Sequence, residues 1–91
     1  MALIDELKDN LGITGAADDA ALTRIIARGT ADLNDLAGVT LDFDADGLPR
    51  SLLLDDCRYA YNNASEYFEE NFAKQILRMQ LQSAVSADDS E

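Results

Sequence analysis

Apolar residues return every three or four positions along most of this chain, and that rhythm predicts helices rather than strands. The first helix is expected over residues 2–11, with Leu3, Ile4, Leu7 and Leu11 on one face. Gly12 follows as a left-handed cap, and Ile13 is placed to fold back on the last turn. The second opens at Asp18 or Asp19, either of which suits an N-cap. Leu22, Ile25, Ile26, Leu33 and Leu36 then keep helical spacing. Gly29 lies on the same stripe. A glycine inside a helix costs about 1 kcal/mol relative to alanine, so its presence predicts the close approach of another helix.

The third helix is predicted from Pro49 to Asn71, the longest of the set. Leu52, Leu53, Cys57, Ala60, Tyr61, Ala64 and Phe68 form its broad apolar face, with Tyr67 at the edge. Tyr61 and Phe68 are expected in the core more than Tyr59. The fourth helix, "AKQILRMQLQSAV", carries Ile76, Leu77, Leu81 and Val85 on its stripe. No glycine or proline separates it from the third, and the break is placed near Asn71. Residues 1–85 therefore read as one helical domain and 86–91 as an acidic, disordered tail. The expected class is all-α, a small bundle of about four helices with a long third helix.

Between the second and third helices stands "DFDADGLP". Asp42, Asp44, Asp46 and Gly47 match the opening of a calcium-binding helix–loop–helix loop. The second half does not follow. The closing bidentate Glu is replaced by Leu53, and Arg50 brings a cation where a water-mediated ligand would sit. Three carboxylates without that Glu do not wrap a calcium ion. Pro49 instead suits the first turn of a helix, and acids just before it complement the positive end of the helix dipole. The stretch reads as a helix approach, with Leu41 and Phe43 tucked underneath.

Composition narrows the function. The chain has 91 residues, which is one domain, and a chain this short buries roughly 60–65% of its unfolded surface. Association would add to that. No apolar run is long enough to span a bilayer. The N-terminus "MALIDELKDN" carries acids where a signal peptide needs cations. With one cysteine there is no internal disulfide framework, and Cys57 reads as a small buried hydrophobe. With no histidine, Cys–His and Ser–His nucleophilic pairs and the common zinc sets are excluded. The net charge is −11, which disfavours direct binding to a nucleic acid backbone. It suits a basic partner or a surface that DNA must not adhere to. Neighbouring carboxylates such as Asp55–Asp56 and Glu69–Glu70 read as solvated faces. Neither a phosphate-binding glycine loop nor a dinucleotide fingerprint occurs.

Interaction is the remaining signal. Tyr59, Tyr61, Tyr67, Phe68 and Phe72 crowd one segment, with Arg58 within it and Arg78 nearby. Tyr, Phe and Arg are enriched at interface cores. Arg58, Tyr59, Tyr67 and Arg78 are candidates for one side of an interface, and Asp32 and Asp35 for a complementary acidic side.

The order "LIDELKDNLGIT", then "DDAALTRIIARGTADLNDLAG", then "LPRSLLLDDCRYAYNNASEYFEENFAKQILRMQLQ" resembles the head–tail connector (adaptor) proteins of tailed bacteriophages. The resemblance runs from about Leu3 to Gln82, and "RYAYNNA.EYFEENF" is its most particular part. It implies a non-enzymatic virion component with no cofactor, no metal and no catalytic residues. It also implies partners: a portal protein, a downstream tail or stopper protein, and further copies of the chain in a ring of about twelve. Such a ring would sit at the head–tail junction, assemble in the host bacterial cytoplasm, and line a DNA channel with negative charge. The alternative is a small acidic DNA-mimic inhibitor, although the carboxylates are spread over several helices rather than spaced along one face.

Overall fold

A computed structural model describes the backbone of residues 2–89 and the side chains of residues 2–84. Val85 and the tail expected over 86–91 lie outside the described side chains. Every regular element among the described residues is helical: α1 Leu3–Leu11, α2 Asp19–Ala37, α3 Leu48–Tyr61, a 3-10 turn Ser65–Tyr67, α4 Phe68–Asn71 and α5 Ala73–Asp89. Leu7, Leu22, Leu33, Phe43, Leu52, Leu53, Cys57, Phe68, Ile76 and Met79 form one core, so every helix supplies at least one residue to it.

α1 ends as its sequence predicts. Gly12 takes φ 72°, its N–H donates to the Asp9 carbonyl, and the Ile13 N–H donates to the Lys8 carbonyl at 2.9 Å. This is a Schellman end, and Ile13 packs on the core. The look-alike "AGVT" ends α2 by the simpler left-handed motif. The Gly38 N–H reaches the Asn34 carbonyl at 2.9 Å, and Val39 stays exposed. The Asn34 side chain instead accepts the Leu41 N–H. At the other end of α2, Asp18 occupies the N-cap position without a side-chain capping bond. Lys8 has drawn the Asp19 carboxylate into an ion pair at 2.7 Å.

The long third helix is not formed as one piece. The stretch from Pro49 to Asn71 divides into α3, the 3-10 turn and α4, and the longest helix is α2. The cause is Asn63, held at φ 57°. Its N–H donates to the Ala60 carbonyl, and the Ala64 N–H donates to the Tyr59 carbonyl at 2.8 Å. Asn63 thus closes α3 with the same Schellman bonds that Gly12 gives α1, because asparagine tolerates the left-handed region better than other side chains. A second bend at Phe72, φ −112°, separates α4 from α5 next to the expected boundary at Asn71. Tyr61, expected in the core, is exposed and donates to Asp18 at 3.4 Å. Leu77 and Leu81, expected on the packed stripe of α5, are 56% and 59% exposed. α5 turns the row Ile76, Met79 and Ser83 inward instead, and Gln80 donates to the Leu36 carbonyl at the end of α2.

The Asp42 loop is a polar turn leading into a helix. Asp42 accepts the backbone N–H groups of Asp44 and Ala45, while Phe43 is buried. Among the described residues, no group of three or more His, Cys, Asp or Glu side chains is placed to hold a metal ion. The loop is fixed by Arg50, which is itself buried. Its Nε donates to Glu6 on α1 and one terminal nitrogen donates to the Phe43 carbonyl, both at 3.0 Å. One guanidinium therefore joins α1, the loop and α3.

Gly29 sits where α2 and α3 meet. A Cβ there would lie 2.9 Å from Leu53 Cδ1, 3.3 Å from Asp56 Oδ2 and 3.7 Å from Cys57 Sγ. Gly29→Leu is expected to cost about 1–3 kcal/mol by overpacking. Gly29→Ala should stay within about 1 kcal/mol of wild type, because the gain in helix propensity offsets a small shift of Leu53. Urea denaturation measures both, and a neutral Gly29→Leu would mean the contact carries no packing constraint. Arg50→Met keeps the apolar stem but strands the Phe43 carbonyl and Glu6. Its expected cost in the same measurement is about 2 kcal/mol.

Candidate interaction groove

An open groove of about 630 Å³ runs between α2 and the α3–α4 segment. Its apolar floor comes from Ile25, Leu36, Ala60 and Phe68. Its walls carry Asp32 and Asp35 from α2, Asp56 from α3, Glu66 from the 3-10 turn and Glu69 from α4, with Arg28 as the single cation. The two acids singled out from sequence are thus joined by Asp56 of α3 and by two more, Glu66 and Glu69, that the Asn63 bend brings into reach. That bend folds Glu66 and Glu69 back toward α2. Nothing in the spacing of residues 56, 66 and 69 signals this, because a continuous helix would have carried the last two away.

The glycine contact also places Asp56. Its carboxylate lies against the α2 backbone at Gly29, where burial, then Asp32, then Glu69, push its pKa up to about 6. No ion pair or hydrogen bond to the Asp56 carboxylate is present among the described residues. The neighbouring Asp55 is also raised by burial, while Arg58 pulls it the other way. Burial and the Asp56 charge together push the Cys57 thiol up to about 12, so the thiolate that reagents attack is scarce.

The aromatic segment is used mainly within the chain. Tyr59 packs edge-on against Phe68 and Phe72, with ring centroids 6.0 and 5.5 Å away, and those two phenylalanines stack at 5.1 Å. Asn71 donates to the Tyr59 hydroxyl at 3.0 Å. This cluster braces the bends at Asn63 and Phe72. Arg58 lies 5.9 Å from the Tyr59 ring centroid and pairs with Asp55 at 3.2 Å. Tyr67 is 54% exposed. Arg78 is exposed on α5 and does not line the groove. The structure therefore brings Asp32 and Asp35 together, brings Arg58 and Tyr59 together, and leaves Tyr67 and Arg78 as separate exposed groups.

A family model described as phage gp6-like head-tail connector protein matches residues 1–89. No curated protein and no solved structure matches the chain.

Because the folded-state pKa of Asp56 lies above its unfolded value, the native state holds its proton more tightly. Its unfavourable contribution is absent below about pH 4 and is complete once pH has risen past about 6. Asp56→Asn should accordingly stabilise the monomer at pH 7, by about 1 kcal/mol once solvent screening in the open groove is allowed for. The advantage should vanish at pH 4. Denaturant titrations at the two pH values test this, and an equal effect at both would place the cause in packing rather than charge.

Proposed function

The chain belongs to the phage gp6-like head-tail connector family, and from that membership we propose that it forms a ring beneath the portal that extends the DNA channel toward the tail. The observation that carries this reading is the extent of the match, which takes in nearly every residue rather than one motif. The portal protein lies on one side of the ring and a tail or stopper protein on the other. A ring of about twelve copies follows from family likeness, and any closed ring requires two different patches per subunit.

The charge supports the reading. A channel wall built from chains of net charge −11 repels the phosphate backbone, so DNA slides past without adhering. The same charge opposes association of free subunits. At about 0.01 M salt, repulsion reaches roughly 30 Å, and at 0.15 M only about 8 Å.

The test is the mass of the full chain by light scattering, alone and with the portal protein of its phage. The chain alone should gain mass between about 0.01 and 0.15 M salt, as that repulsion is screened. With portal it should co-elute as a ring, and it should not retard duplex DNA. Failure to engage portal at any salt, joined to inhibition of a DNA-binding enzyme, would replace the connector by the DNA-mimic reading.

A further inference from the structure

α5 carries a face that its own fold does not use. Lys74, Leu77, Arg78 and Leu81 stand at i, i+3, i+4 and i+7, which is one side of a helix. All four are exposed, and the two leucines are more than half exposed. Neither cation has an ion-pair or hydrogen-bond partner among the described residues. In a chain with 7 cations and 18 acids, two cations and two large apolar side chains on one open stripe form an unpartnered amphipathic face.

Its complement is on the same molecule. The α2–α3 groove has an apolar floor and carboxylates on both walls. A helix presenting leucines flanked by cations fits such a groove: the leucines meet the half-buried Ile25 and Leu36, and the cations meet the acids. We propose that the Lys74–Leu77–Arg78–Leu81 face of one copy docks in the acidic α2–α3 groove of the next copy. Face and groove are different surfaces, as a head-to-tail contact requires, and a contact of that kind propagates around a ring. Its role as the ring-forming contact rests on the connector reading.

Three features favour this pairing over the Arg58 region. Arg58 is already engaged by Asp55 and lies beside Tyr59, whereas Lys74 and Arg78 are uncommitted. The helical rhythm marks Leu77 and Leu81 as core, and the isolated subunit leaves them uncovered. Asp56 is held partly desolvated among like charges, a cost that an incoming cation would relieve.

Sedimentation equilibrium of the full chain at 0.15 M salt, up to about 1 mM, reads the contact. Wild type should self-associate. R78E, L77D and D32R should each weaken association about tenfold or more, with the helical circular dichroism unchanged, since all three positions are exposed. D32R and R78E combined in one chain should recover much of the loss, because the swapped charges again attract. R58E should have little effect. A wild type that stays monomeric at about 1 mM would overturn the proposal, as would R78E and D32R without effect, or a double variant no better than its parents. Portal capture is scored on the same variants. If wild type and every variant capture portal alike while self-association is insensitive to them, the connector reading survives and this contact falls. If the swap pattern holds but portal is never captured, the contact stands and the connector reading falls.

Discussion

The approach of α2 to α3 at Gly29 is the constraint on which the remaining architecture depends. A large side chain there would displace Leu53 from its fully buried position and crowd Asp56. With hydrogen in its place, two helices that share the most extensive contact in the molecule come close enough to seal Leu22, Leu33, Leu53 and Cys57 from water. The glycine gives up helix propensity. In exchange the packing brings the Asp56 carboxylate against a neighbouring backbone, and the groove takes its shape from the same contact.

Arg50 governs the other side of α3. A buried guanidinium must have its donors satisfied, and Arg50 reaches α1 through Glu6 and the Asp42 loop through the Phe43 carbonyl. The loop can therefore be acidic and solvent-facing while still holding Phe43 in the core. The aromatic cluster has a matching role at the far end. Tyr59, Phe68 and Phe72 fix two bends in succession, and these determine where Glu66 and Glu69 end up.

Where glycine punctuates the chain, the fold was readable from sequence. α1 and α2, the left-handed end of α1 and the close contact at Gly29 all follow from spacing and from the one residue type that accepts those conformations. The end of α3 was hidden because asparagine takes glycine's role at position 63, and asparagines elsewhere in helices give no such signal. The orientation of α5 was hidden for a different reason. Two apolar rows run along it, Ile76–Met79 and Leu77–Leu81, and periodicity alone cannot say which one packs inward. In the folded chain the Ile76–Met79 row is buried and Gln80 donates to the Leu36 carbonyl. Of the five groove acids, Asp32 and Asp35 were legible. Asp56 depends on the Gly29 contact, Glu66 and Glu69 depend on Asn63, and Arg50 drew notice only as a misfit in a calcium-like loop, since its partners lie on α1 and in the loop itself.

Cys57 has one more consequence. Its sulfur is buried between α2 and α3, beside the glycine contact, and it is the only thiol in the chain. A reagent in solution can reach it only when those two helices part. Under conditions where closing is faster than modification, the rate of thiol labelling counts the fraction of time the interface is open, which is a free energy of local unfolding. The molecule thus contains its own gauge of how firmly its central helix pair is shut, readable in a free subunit and in an assembled one without any substitution.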